Sequence, residues 1–288
     1  MSLKVCDVGE KELINIILDI STSVFPDDTA VSDISDLKNL ISTSDMLIQS
    51  KHFPSEMSYY QMGFKAVTVN VSDLAAMGVK PLGFLLAMAV PRNLFLDDFC
   101  RIIEGVHDAC SFYDIPLIGG DTNESEEIIL SGTALGSASS YLLKSGFFKG
   151  DLVAVTGEVG IVAEEFKTGK FTEKTLKPVA RIKEGQYLNE IGATSATDIT
   201  DGLVSELYEL SNTDKSLGFL IYEEKLKNKD LYFGEDFELL FTISKDKSDL
   251  ISDFIVIGEV TDSSKVEMKL ETGEIKELPN KGYNHLKD

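Results

Sequence analysis

Two spacings of apolar residues alternate along this 288-residue chain. In GEKELINIILDI, residues 9–20, Leu13, Ile16, Ile17 and Ile20 recur at the three- and four-residue intervals of a helix. FPDDTAV then reads as a loop leading to a strand, and LISTSDMLI (40–48) as a strand with polar residues at its end. LGFLLAMAV (82–90) has the continuous apolar character of a buried strand. LDDFCRIIEGVHDACSFY (96–113) is predicted to be an amphipathic helix that starts on acidic residues. IPLIGGDT (115–122) is predicted as a strand ending in a glycine turn, and IILSGTALGSA (128–138) as a further strand. The stretch SEMSYYQMGFKAVTVNVSDLAAMG (55–78) is ambiguous. Its centre, VTVNV, is β-branched and locally strand-like. Phe64, Val67, Val71, Leu74 and Gly78 nevertheless follow helical spacing, and the run exceeds an ordinary strand. A long helix is the expectation.

The resulting order, α, β, α, β, α, β, β, predicts an α/β fold of α+β layers. YLLKSGFFKGD (141–151), with its short polar and glycine-bearing turns, marks a boundary. Beyond it lie three further units. DLVAVTGEVG begins a strand–loop–helix, SATDITDGLVSELYEL (195–210) is a strand–turn–helix, and FGEDFELLFTIS (233–244) is a turn and strand. Two domains are expected, 1–144 and 145–288, each of ordinary size.

Composition refines this picture. Hydrophobic residues make up 43% and charged residues 26%, as in globular proteins. A formal charge of −21 excludes a broad basic face for nucleic acid. An anionic substrate would need metal ions or a local basic cluster to offset that charge. Cys6, Cys100 and Cys110 form no CxxC pair, which argues against both a disulfide framework and a cysteine-type zinc site. The longest apolar run, PLGFLLAMAVP (81–91), is well short of the ~20 residues of a spanning helix. The N-terminal residues carry no signal-peptide cleavage pattern. A cytoplasmic protein without membrane association is expected.

Several aspartates sit where strand-like runs end: Asp27 and Asp28, Asp45, Asp121 after Gly119–Gly120, and Asp198 and Asp201 around Thr200. Singly, each has a structural explanation. Asp201 would serve as the N-cap of the following helix, and Asp121 as a turn residue. Together they are the hard oxygen ligands that Mg²⁺ takes. TGEVG (156–160) is either a phosphate cradle at a helix start or a plain tight turn. His52 and His285 carry no catalytic signal by themselves. No GxxxxGK[ST], HExxH or GxSxG pattern is present.

These pieces, in order, resemble the thiamine-monophosphate kinase family. The matching stretches are GE (9–10), DDTAV (27–31), TSDML (43–47), HF (52–53), KAVTVNVSDLAAMGVKP (65–81), IGGDT (118–122), KGDLVAVTGEVG (149–160), DITDGL (198–203), GEDFELLF (234–241) and GYNHL (282–286). VNVSDLAAMG and IGGDT are shared by the wider aminoimidazole ribonucleotide synthetase-like superfamily, whereas GEDFELLF and the final GYNH are more specific to the thiamine-phosphate branch.

The resemblance implies a homodimer whose N-terminal sheets join in a barrel-like interface, with ATP and several Mg²⁺ ions between the domains. The implied reaction is phosphorylation of thiamine monophosphate to thiamine diphosphate. It places metal ligands at Asp28, Thr43, Ser44, Asp45, Asp73, Asp121, Asp198 and Asp201. ATP contacts fall at Gly120, Asp121, Lys144 and Thr200, and substrate contacts at His52, Glu235 and Tyr283. No general base is assigned. Lys144 stands where the family usually has arginine, Thr200 replaces a usual serine, and the segment between Asp201 and Glu235 is short for the family. On the helical reading, Asp73 lies three residues after Asn70 on the same side and needs a partner; Mg²⁺ shared with Asp28, Asp45 and Asp121 is the expectation. The rival readings are another ATP-dependent enzyme of the superfamily and a non-catalytic nucleotide- or metal-binding paralogue. A selenophosphate synthetase would want a glycine-rich arm around a reactive cysteine. A hydrogenase-maturation protein would want a C-terminal cysteine in place of the final NHLKD.

Overall fold

The computed structural model describes residues 3–21, 38–228 and 230–281. They divide into two compact units, one within 1–74 and 80–139, the other within 75–79 and 140–288.

The first unit contains α1 (Val5–Val8), α2 (Glu10–Ile20), β1 (Asn39–Ile48), α3 (Gln49–His52), α4 (Tyr59–Ala76), β2 (Lys80–Val90), α5 (Leu96–Phe112), β3 (Leu117–Glu124) and β4 (Ile129–Ala138). The last two residues of α4, Ala75 and Ala76, belong to the second unit. Its sheet has the order β1-β4-β2-β3, antiparallel except for the parallel pair β2–β3.

The ambiguous stretch is a single helix, and tertiary burial explains why β propensity loses. Met62, Phe64, Ala66, Val67, Val69, Val71, Leu74 and Ala75 are all buried. A helix enclosed on most sides needs apolar residues all round, which blurs the one-sided stripe. The helix approaches α5 at two glycines. A Cβ on Gly63 would lie 2.0 Å from the Ile102 carbonyl oxygen, and one on Gly105 would lie 1.9 Å from that of Tyr60. β3 corrects the expected glycine turn. The strand runs through Gly119 and Gly120 to Glu124, because Gly120 and Asp121 continue the parallel ladder with Leu86 and Ala87. Asp121 is therefore a strand residue rather than a turn residue.

The second unit contains β5 (Leu152–Val155), α6 (Ile161–Thr168), α7 (Glu173–Leu176), α8 (Ile182–Ile191), β6 (Ser195–Asp198), α9 (Leu203–Thr213), β7 (Gly218–Tyr222), β8 (Leu239–Ile243), β9 (Ile255–Thr261), β10 (Val266–Lys269) and β11 (Ile275–Glu277). Its sheet has the order β11-β10-β7-β9-β5-β8-β6, with only β10–β7 parallel. One core cluster joins Val153, Ile199, Leu207, Phe219 and Ile257. A second joins Ala75 and Ala76 to Leu188, Leu239 and Phe241. Among the described residues, every buried side-chain nitrogen and oxygen has a hydrogen-bond partner, and no helix is long and apolar enough to cross a membrane.

Candidate active site

Alternation along β1 sorts the TSD residues. Thr43 and Asp45 lie on the half-buried side of the strand, while Ser42, Ser44 and Met46 are exposed on the other. The Thr43 hydroxyl donates to the Asp73 carboxylate on α4. The Asp45 backbone N–H donates to Asn70 Oδ1 at 2.9 Å, and Asn70 Nδ2 donates to the Ala66 carbonyl at 2.9 Å. The fully buried Asn70 thus clamps β1 to α4 one turn before Asp73. Gly132, paired with Asp45 on β4, leaves room for it: a Cβ there would lie 2.2 Å from Asn70 Nδ2. Ser44 turns the other way, donating to the Gly132 carbonyl at 2.8 Å and accepting from Thr133 at 3.1 Å. Its side chain does not join Thr43, Asp45 and Asp73.

Asp121 lies on β3, at the opposite edge of the sheet from β1. Three strand spacings, about 14 Å, separate those two edges. With Arg92 and Asn123 it lines a cavity of about 430 Å³. Gly120 precedes it on the same exposed edge. His52 closes α3, its Nδ1 2.8 Å from the Ile48 amide nitrogen. Asp28 and Tyr283 lie outside the described residues. Among those described, no three His, Cys, Asp or Glu side chains converge as a ready metal site.

In the second unit, two segments pair beyond the ends of β6 and β8. Ile199 N–H donates to the Glu238 carbonyl at 2.8 Å, Phe237 N–H to the Ile199 carbonyl at 3.1 Å, and Glu235 N–H to the Thr200 carbonyl at 2.9 Å. This pairing joins Thr200 to Glu235 through the backbone, with Asp198 and Asp201 flanking the paired 199–200 segment in sequence. Glu235 and Phe237 adopt left-handed backbone, with φ of 66° and 50°, which costs a non-glycine residue about 1 kcal/mol or more unless its surroundings hold it. Two buried acids hold these two residues. The Asp236 carboxylate accepts from Gly160 N–H at 2.6 Å and Val162 N–H at 3.4 Å. Glu238 takes both arms of Arg181, at 2.7 and 2.6 Å, together with Lys174 at 2.5 Å and the Thr156 hydroxyl at 2.8 Å. Burial pushes Asp236 up to about 6. Burial also pushes Glu238 upward, but Arg181 and Lys174 outweigh it and hold the group below the usual carboxylate range.

The start of α6 therefore receives a carboxylate from the chain itself, so TGEVG is a turn at a capped helix. Asp201 does not cap α9, whose N-cap is Gly202. Its backbone N–H instead donates to Glu206 at 3.3 Å. Burial pushes Glu206 up to about 7 against the pull of Lys144. Lys144 Nζ lies 3.9 Å from Glu206 and 3.8 Å from Glu209.

Glu206, Asp236, Glu238 and Arg181 have roles that no sequence motif assigns, and the clamp made by Asn70 depends on its partner on β1. The signal available for Asn70 was the one that exposed Asp73, a polar residue in an apolar helical run.

The fold first defines a class. Residues 26–138 match the family model described as AIR synthase related protein, N-terminal domain. Hydrogenase maturation protein HypE shares the fold, with a TM-score of 0.78, 16% identity, and 92% of this chain and 96% of that one covered. The thiamine-monophosphate kinase of Pyrococcus abyssi (strain GE5 / Orsay) is much nearer in sequence, 38% identical over 269 residues spanning 86% of each chain. The structure of AaThiL complexed with AMPPCP and TMP matches with a TM-score of 0.77 at 28% identity, over 99% of both chains. The chain belongs to the thiamine-monophosphate kinase family.

Proposed function

We propose that the protein transfers the terminal phosphoryl group of ATP to thiamine monophosphate, forming thiamine diphosphate and ADP, in the cytoplasm. The backbone pairing of residues 199–200 with 235–238 supports this reading, because it joins the family-specific GEDFELLF stretch to the DITDGL stretch through Thr200 and Glu235. The acceptor is itself a phosphate, whose second pKa near 6 leaves it mostly dianionic at neutral pH. It needs no general base, and none is assigned. The obstacle is repulsion, about 4 kcal/mol per unit-charge pair at ~4 Å and an effective dielectric near 20.

Mg²⁺ bound here would neutralise phosphate charge and hold the reacting groups in line. The candidate donors fit a hard cation, being all oxygen: Thr43, Asp45, Asp73, Asp121, Asp198 and Asp201, together with Asp28, which lies outside the described residues. Ser44 belongs to this set only through its backbone, given where its side chain points. Mg²⁺ is commonly held by one or two carboxylates plus substrate phosphates, so a three-carboxylate cage is not required. Gly120, Asp121, Lys144 and Thr200 serve ATP. His52, Glu235 and Tyr283 serve thiamine monophosphate, with Glu235 facing its cationic or amine-bearing rings and Tyr283 packing on one.

Incubation of the purified protein with Mg-ATP and thiamine monophosphate, followed by chromatography, should yield thiamine diphosphate. ATP binding without that product would instead support a non-catalytic paralogue. The working state is a homodimer joined through the outer face of the first unit's sheet in a barrel-like interface, and the N-terminal domain (1–144) carries both dimerisation and ATP binding. On that face Leu40 and Met46 are each 54% exposed, and Leu85, Ile129 and Leu135 are half-exposed. Sedimentation should report a dimer at micromolar protein; a monomer there would overturn this assembly.

A further inference from the structure

Lys65 is fully buried, midway along α4 beside the buried Phe64, Ala66 and Val67. A lysine is almost never fully buried without a partner. Its ammonium donates to the backbone carbonyl of His52 at 2.8 Å and lies 5.9 Å from the centre of the Phe53 ring. His52 is the last residue of α3. Closing carbonyls of a helix have no acceptor role within it, and a lysine can satisfy one. The main chain of His52 is thus fixed from α4.

The ring is fixed from the other direction. The Ile48 N–H donates to His52 Nδ1 at 2.8 Å. An amide hydrogen has a set position, and one aimed at Nδ1 leaves no room for a second hydrogen on that nitrogen. The Ile48 carbonyl, 3.2 Å from Nδ1, would accept from it only if two hydrogens were forced together. In neutral imidazole one nitrogen accepts and the other donates. The proton therefore sits on Nε2.

We propose that Lys65 is a positioning residue which, with the Ile48 amide, locks His52 as the neutral Nε2–H tautomer, so that the ring takes part in substrate binding as a donor rather than an acceptor. The identity of that substrate rests on the function proposed above; the tautomer does not. A neutral donor keeps the Ile48 bond intact, whereas a proton added at Nδ1 would break it.

The chain has only three histidines, His52, His107 and His285, so ¹⁵N-histidine labelling of the full chain gives a readable spectrum, and His52→Gln assigns the signal. At pH 7.5, the His52 ring should show a protonated Nε2 and an unprotonated Nδ1. The reverse pattern, or rapid averaging of the two, would overturn the proposal whether or not the protein makes thiamine diphosphate. Lys65→Met should shift His52 to an averaged pattern. It should also raise the KM for thiamine monophosphate about 10- to 100-fold, the scale of one hydrogen bond to a charged group, with the KM for ATP unchanged. An unaltered His52 pattern in that variant would remove Lys65 from the account. A further test stands if Lys65→Met fails to fold. His52→Gln, which can place an N–H where Nε2 stood, should raise the KM for thiamine monophosphate less than His52→Asn does. Equal losses in the two variants would rule out the donor role.

Discussion

Asp73 and Lys144 show how one residue's surroundings decide its chemistry. Asp73 is a mid-helix carboxylate whose contact with Thr43 links α4 to β1. Asp73→Asn preserves size and hydrogen-bonding atoms, so the fold should stand. Turnover should drop by about 100-fold or more, the scale of one lost charge-stabilising group, most sharply at limiting Mg²⁺. Kinetics across a Mg²⁺ titration measure this, and undiminished activity at low Mg²⁺ would exclude a metal role. Lys144 faces two carboxylates at the long end of ion-pair distance. Arginine there would offer a forked donor suited to phosphate. Lys144→Arg should lower the KM for ATP about 5-fold, on the order of 1 kcal/mol; an unchanged value would remove this residue from the nucleotide site.

At the scale of elements, the segment 234–238 depends on acids that the GEDFE pattern displays without revealing their roles. Asp236 caps α6 and has a folded pKa raised from an ordinary 3.8 to about 6. Between about pH 4 and 6 the folded chain therefore holds a proton that the unfolded chain has released. Its contribution to stability is full below about pH 4 and is lost as pH rises through 6, by up to about 3 kcal/mol for a two-unit shift. Asp236→Asn keeps an oxygen acceptor and does not titrate. The stability of the parent relative to this variant, from urea melts, should thus decline over that range; a flat difference would refute the shift. The elements themselves were legible where a periodic run was long. α2, α5, β1, β2 and β4 fall within two residues of their sequence positions. α4 was decided by length and spacing against local propensity. β3 was cut short at Gly119–Gly120, since glycines in a parallel ladder look like a turn in sequence. β10 and β11 are only four and three residues long, and β11 is wholly exposed, so they left no apolar pattern to follow. In the site, aspartates stood out by position. The side chains that fix the backbone beside Asp45 and Asp201, and those that flank Glu235, are Asn70, Glu206, Asp236 and Glu238, and their roles show only with their partners.

At the scale of the whole molecule, a charge of −21 is carried on a fold whose N-terminal part matches the AIR synthase-related family model. The particular family is written in short acidic stretches rather than in architecture, as the close fold match to HypE at 16% identity illustrates. One feature of the chain's path bears on how the molecule is made. Ala75 and Ala76 are emitted from the ribosome some 65 residues before the rest of the second unit begins, yet they belong to its core cluster. That unit is therefore discontinuous in time as well as in sequence: its later residues must find a piece already synthesised. A gene fragment encoding only 140–288 should yield a soluble product that melts earlier and less cooperatively than the intact chain, or no folded product. Supplying 75–79 by circular permutation should restore the sharp transition, and an equally stable bare fragment would show those five residues to be dispensable.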